Sequence, residues 1–199
     1  MPRVRYNGSM QYRAIIFDLY GVLGLNGWQE FKRQHFAERR ELWEQLRSLG
    51  QRVDAGQASE EEFVEAVALA SGETGDEVRY QFEHTLLNTE LLDFIEKQLK
   101  GKVKLGLLSN ASHDVLGGIF THTQLVLFDA TVSSYRVGLT KPDPKMFMLM
   151  CNELGVRPEE CIMVDDQERH IAAAKALGFH TILYESPAQA KQAIEEATV

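Results

Sequence analysis

The chain is short of cysteine, of basic residues and of long apolar runs, and each shortage closes off a class of protein. Only two cysteines, Cys151 and Cys161, stand among its 199 residues. One lies in an apolar helical stretch and the other opens an apolar strand, so both read as small core residues, reduced as in the cytoplasm; their spacing leaves a pairing open, but a chain of this size needs no disulfide to fold. Lys and Arg number 21 against 29 Asp and Glu, a net charge of −8. That sign excludes a broad nucleic-acid surface, although one local basic site suffices for a small anion. No apolar run is long enough to cross a bilayer and no hydrophobic leader opens the sequence, so the expectation is a soluble, cytoplasmic protein with neither membrane nor nucleic acid as partner. Internal repeats and low-complexity tracts are also missing.

What the sequence does have is a repeated transition from apolar run to polar residue. Ala14, Ile15, Ile16 and Phe17 form a run rich in β-branched and aromatic side chains, the pattern of a fully buried parallel strand. Asp18 closes it. Burying a carboxylate costs several kcal/mol unless it is paired, so Asp18 belongs at the strand's carboxyl end, where open α/β sheets bind ligands. Gly21 permits a turn, and Val22 and Leu23 return the chain to the core. Later runs end the same way: Val103 to Leu108 before Ser109-Asn110, and Cys161 to Val164 before Asp165-Asp166. A further polar cluster, Lys141-Pro142-Asp143-Pro144, lies between them.

Between the first strand and the rest, the apolar period becomes helical. Trp28, Phe31, Phe36, Leu42, Trp43, Leu46 and Leu49 recur mostly at three- and four-residue steps, which is helical spacing. Ser59 and Glu62 form a capping box for a helix to about Ala70, and Val78, Phe82, Leu86 and Leu87 suggest another. After Gly101 strands and helices alternate: strands at Lys102 to Leu108, Phe128 to Ser133, Cys161 to Asp165 and His180 to Leu183, and helices at Asp114 to Phe120, Pro144 to Leu154 and Glu168 to Leu177, with a terminal helix from Pro187. Met1 to Gln11 has no periodic pattern and reads as a loose arm. The predicted class is α/β, a Rossmann-like parallel-sheet core (12–26 and 86–199) with helices on both faces and an inserted helical cap (27–85).

The ordered motifs at Asp18, Ser109, Lys141 and Asp165-Asp166 resemble those of the haloacid dehalogenase superfamily, which includes many phosphatases, and the resemblance runs from residue 14 to about 184. It implies a nucleophilic carboxylate at Asp18, giving a covalent aspartyl intermediate that water later opens. It implies Mg²⁺ held by Asp18, Asp165, Asp166 and the backbone carbonyl of Tyr20, offsetting the repulsion between two anions. Ser109 would donate to a phosphoryl oxygen, the backbone amides of Asn110 and Ala111 would face the same anion, and Lys141 would neutralise developing charge. Asp143 reads as a helix N-cap. His170 is open to two placements, beside the metal or on a helix surface, and His113 belongs to the helix after Ser109. In the inserted cap, Trp28, Arg33, Arg39 and Arg40 could reach a substrate or serve only packing and solvation. The implied activity is Mg²⁺-dependent hydrolysis of a small phosphate ester.

One residue departs from that pattern. Most phosphatases of the superfamily carry a second Asp two residues after the nucleophile, as leaving-group acid; here the position is Tyr20. A phenol with an ordinary pKa of about 10 is seldom a base near neutrality, and losing acid–base help costs roughly 10²–10⁴-fold in rate. Tyr20 therefore points to slow phosphatase activity, to replacement by another group, or to different chemistry. Haloacid dehalogenases carry Tyr there because halide leaves unprotonated, yet Asp165-Asp166 departs from their fourth motif. A catalytically weak binding protein is the non-enzyme alternative.

Overall fold

The computed structural model describes residues 12–25, 27–111 and 116–198. β1 (Ala14–Phe17) is followed by a two-residue strand β2 (Gly24–Leu25), then helices α1 (Trp28–Phe36), α2 (Arg40–Asp54), α3 (Glu60–Ser71) and α4 (Gly75–Glu83). Strand β3 (Leu86–Leu87) returns antiparallel to β2. The rest comprises α5 (Thr89–Phe94) with a π-helical turn over Ile95–Leu99, β4 (Lys104–Ser109), short helices α6 (Leu116–Ile119) and α7 (His122–Leu125), β5 (Ala130–Ser133), α8 (Ser134–Val137), α9 (Pro144–Leu154), β6 (Cys161–Asp165), α10 (Glu168–Ala176), β7 (His180–Leu183) and α11 (Pro187–Thr198).

The α/β class is as the sequence predicts. Five parallel strands pair in the order β5-β4-β1-β6-β7, with β1 in the middle. Every residue of β1 is buried, because alternate side chains feed separate cores on the two faces. Ile15 and Phe17 join α5 and α11 residues on one face; Ala14 and Ile16 pack with Met146, Phe147 and Met150 of α9 on the other. Cys151 and Cys161 lie in the second core, unbonded, with sulfurs 3.9 Å apart. Asp143 caps α9 by accepting the Lys145 amide N–H at 2.8 Å. Among the described residues, no helix is long and apolar enough to cross a membrane.

The inserted helices have a third core of their own, built on Phe31, Phe36, Leu46, Val64, Val67 and Val78. The helical spacing over 28–49 is realised as two helices, α1 and α2. The chain leaves helical geometry at Arg39 (φ −114°, ψ 51°), and the break folds Phe36 back to within 5.7 Å of Trp43. A continuous helix of that length would extend about 1.5 Å per residue and could not close this aromatic core on itself. The helical pattern extended to Leu87 fails. Leu86 and Leu87 instead pair with Leu25 and Gly24 as the chain returns toward the sheet. The expectations of an arm over residues 1–11 and of His113 in a helix lie outside the described residues.

Candidate active site

The parallel ladder continues one residue beyond β1: the Asp18 amide N–H donates to the Val164 carbonyl at 2.9 Å. This fixes Asp18 at the carboxyl edge of the sheet, flanked by the ends of β4 and β6. Its Oδ1 accepts from the Leu19 amide at 2.7 Å and lies 2.7 Å from Lys141 Nζ. The same ammonium donates to Asp165 Oδ2 at 2.7 Å. Lys141 is fully buried, and its loop is gripped at two points by Asn110. The Asn110 side-chain N–H donates to the Lys141 carbonyl at 3.0 Å, and Asn110 Oδ1 accepts the Lys141 amide at 2.8 Å.

Ser109 ends β4, buried, with its hydroxyl donating at 3.3 Å to the Asn110 carbonyl. Of the two amides expected to face an anion, that of Ala111 is already taken, since it donates to Ser134 Oγ at 2.9 Å. His170 is 1% exposed, which excludes the surface placement. Its Nδ1 lies 2.9 Å from Asp165 Oδ1, an oxygen that also accepts the Gln167 amide. Both Asp165 oxygens thus have protein partners, Gln167 and His170 at Oδ1 and Lys141 at Oδ2.

The electrostatics follow from three carboxylates facing one ammonium. Burial, with the charge of Asp165 added, pushes the Asp18 carboxyl well above the usual range, while Lys141 pulls it down. Burial also works against ionised Asp165, but the Lys141 ammonium and the His170 ring outweigh it and hold Asp165 well below the ordinary value. Burial alone would lower Lys141; Asp165 and Asp18 reverse this, so it stays charged. Burial lowers His170, leaving a neutral imidazole at pH 7. Asp166 is raised to about 6 by burial and by Asp165. One of its oxygens accepts from Gln29 Nε2 at 2.9 Å. The other, Oδ1, is buried with no hydrogen-bond partner among the described residues.

That orphaned oxygen, beside a buried excess of negative charge, fits a hard cation such as Mg²⁺, which takes carboxylate and carbonyl oxygens. Asp18, Asp165 and His170 also bring ligand atoms within 4.8 Å of one another, although Asp165 and His170 already bind each other. Gly21 makes room for Asp166: at its φ of +86° a Cβ would stand 2.4 Å from Asp166 Oδ2. Gly21→Ala is therefore expected to cost about 1–3 kcal/mol in urea unfolding from backbone strain and displaced carboxylate together.

A cleft of about 850 Å³ opens over Asp18, between the sheet edge and the inserted helices. Tyr20, Asn110, Asp166 and Arg169 line its sheet side; Trp28, Lys32, Trp43, Arg47 and Asp54 line its helical side. Of the cap residues suggested by sequence, only Trp28 reaches it. Arg33 binds Glu30 on the exposed helix surface, Arg39 donates to the Ala70 carbonyl, and Arg40 is exposed and lines no part of the cleft. Sequence reasoning missed Lys32, Arg47 and Asp54. The available signal was helical spacing, since Trp43, Arg47, Gly50 and Asp54 recur at three- and four-residue steps on one face of α2.

Several known proteins are similar to this chain. It is 28% identical to mouse "Acyl-CoA dehydrogenase family member 10" over 97% of its own length, but spans only 20% of that protein. It is 24% identical to "Phosphatase MT3486" of Mycobacterium tuberculosis (strain CDC 1551 / Oshkosh), over 93% of each chain. Over 38% of its length it is 32% identical to "(S)-2-haloacid dehalogenase 1" of Pseudomonas sp. (strain CBS-3), covering 34% of that enzyme. Among solved structures, a family enzyme from Bacteroides thetaiotaomicron in complex with magnesium and inorganic phosphate superposes with a TM-score of 0.63 at 24% identity, over 87% of this chain and 94% of that one. The model of the haloacid dehalogenase-like hydrolases matches residues 12–178, which with the sheet order and the Asp18–Lys141–Asp165 cluster places the chain in that hydrolase family.

Proposed function

We propose that the protein is a Mg²⁺-dependent phosphatase of small phosphate esters, with Asp18 as nucleophile and residues 27–85 as a cap over a core formed by 12–26 and 86–199. The observation that carries this is the set of carboxylates at Asp18, Asp165 and Asp166, which one ammonium, Lys141, cannot neutralise. The magnesium and phosphate bound to the Bacteroides relative, and the phosphatase named among the full-length relatives, support it.

Asp18, Asp166 and the backbone carbonyl of Tyr20 would hold the metal, with Asp165 beside them. Bound there, Mg²⁺ supplies positive charge against the phosphoryl oxygens. Lys141, 2.7 Å from Asp18 Oδ1, favours the ionised carboxylate against the opposing effect of burial and aligns it, so that its oxygen attacks phosphorus while the ester oxygen departs. Ser109 exchanges its long bond to the Asn110 carbonyl for a phosphoryl oxygen, and Asn110 holds the Lys141 loop in register. Water then attacks phosphorus of the aspartyl phosphate, releasing phosphate and regenerating Asp18. Trp28 and Trp43, which line the helical side of the cleft, would give the leaving group an apolar wall.

A screen of phosphate esters and 2-haloacids, with and without Mg²⁺, tests this assignment. Phosphate release that requires Mg²⁺ is the expected result. Tyr20 favours the second possibility, a dehalogenase, and halide release without metal would establish it in place of the phosphatase.

The metal assignment makes a separate prediction about pH. Asp166 binds its proton more tightly folded than unfolded, so the metal-free protein is expected to lose stability as pH rises from the ordinary carboxylate range through about 6. Above that window the carboxylate is free to take Mg²⁺; below it the proton competes. Thermal unfolding should show a larger Mg²⁺-induced rise in Tm at pH 7.5 than at pH 5, and Asp166→Asn should abolish the Mg²⁺ effect while stabilising the metal-free protein.

A further inference from the structure

A phosphatase built on this site still lacks the proton donor that its leaving group needs. Tyr20 does not supply it: burial and the nearby Asp54 charge push its phenol upward, so it holds its proton too tightly to cycle. His170 lines the cleft, but burial keeps its ring neutral and its one N–H, on Nδ1, is directed at Asp165, so Nε2, which has no partner among the described residues, carries no proton to give. Asp54, the last residue of α2, has no such commitment. Among the described residues its carboxylate accepts no hydrogen bond and makes no ion pair. It lines the same cleft as Asp18, Tyr20 and Asp166.

Two elements bring charge to bear on Asp54. Arg169 of α10 and Lys141 of the loop before α9 both favour its carboxylate, while the neutral phenol of Tyr20, in the turn after β1, is itself acted on by the Asp54 charge. Glu60, at the start of α3, shares the cleft and acts on the same phenol. Asp54 thus comes from the inserted helices but stands within electrostatic reach of the lysine that grips the nucleophile.

We propose that Asp54, reaching from the cap, is the general acid–base of this site and takes the place of the carboxylate absent at position 20. The assignment rests on the phosphatase function above. As the Asp18 oxygen bonds to phosphorus and the bond from phosphorus to the ester oxygen breaks, protonated Asp54 gives its proton to that oxygen, which leaves as the alcohol. Ionised Asp54 then takes a proton from the water that attacks phosphorus. The bond from phosphorus to Asp18 breaks, phosphate departs, and both carboxyls return to their starting states. Burial holds the Asp54 carboxyl at about 7, so both forms are populated where the cycle must run.

Leaving-group dependence tests this directly. An alkyl phosphate such as ethyl phosphate needs a proton donor; p-nitrophenyl phosphate does not, because nitrophenolate leaves as the anion. In single-turnover measurements with Mg²⁺, Asp54→Asn is expected to slow alcohol release from ethyl phosphate by about 10²–10⁴-fold and nitrophenolate release by less than about 10-fold. Asp54→Glu should recover part of the loss, and the wild-type ethyl phosphate rate should fall as pH rises above about 7, a limb that Asp54→Asn removes. Equal slowing of both esters, or no slowing of either in a folded variant, would overturn the role of Asp54 and leave the phosphatase standing. No release from either ester by the wild type would overturn the phosphatase assignment, and Asp54 as its acid with it.

Discussion

Asp18→Asn is expected to lower phosphate-ester turnover by about 10⁴-fold or more while leaving a folded protein, because removing a nucleophile abolishes the covalent route rather than trimming it. The substitution is nearly isosteric. The amide oxygen can still accept the Leu19 N–H that now binds Asp18 Oδ1 at 2.7 Å, and Lys141 keeps Asp165 as its counter-ion at 2.7 Å. Burial already disfavours the ionised form of Asp18, so a neutral side chain there relieves electrostatic stress rather than adding it. Steady-state kinetics beside thermal unfolding separates the two effects. Large loss of kcat with little change in Tm is the expected pair, and undiminished turnover would exclude Asp18 as nucleophile.

Lys141→Met should give the largest change in stability. Its ammonium is fully buried between Asp18 and Asp165, and removing one member of a buried ion cluster costs about 3–5 kcal/mol because uncompensated charge remains in a poorly solvated site. The backbone grip of Asn110 on residue 141 survives the change, so the loss belongs to the side chain. Its sign with pH follows from the carboxylates. Without the lysine both acids are raised, the folded state binds protons more tightly than the unfolded chain, and the variant loses stability as pH rises through their folded-state range. The deficit relative to wild type should therefore shrink in acid, where Asp18 accepts a proton. Urea unfolding at pH 7 and pH 4.5 measures both values; a deficit that grew in acid would contradict the assignment.

The sheet and most of its site-bearing loops were legible because one physical rule repeats: a strand buried on both faces must be apolar, and the first polar residue after it marks the sheet edge. That rule located Asp18, Ser109 and Asp165, and the helix bounds of Pro144–Leu154 follow from the Asp143 cap and the glycine after Leu154. The inserted helices were less legible. Periodicity identifies an apolar face but not where a helix breaks, so the turn at Arg39 and the packing of Phe36 on Trp43 stayed hidden. Nor does it say which polar residues face a cleft formed with a distant segment. Arg33 and Asp54 are both charged residues on amphipathic helices, yet one lies at the solvent face beside Glu30 and the other faces the cleft over Asp18. His170 was ambiguous for the same reason: only the fold reveals that its helix face turns toward Asp165.

The proposed phosphatase chemistry runs through a covalent intermediate on Asp18, which acid-quench mass spectrometry detects. The enzyme is mixed with Mg²⁺ and a phosphate ester, quenched within one turnover, digested and mapped. A phosphoryl adduct on the peptide carrying Asp18, absent when Mg²⁺ is withheld and absent in Asp18→Asn, is the predicted result. A phosphoryl adduct elsewhere in the chain, or an alkyl ester on Asp18 formed only from a 2-haloacid, would contradict it.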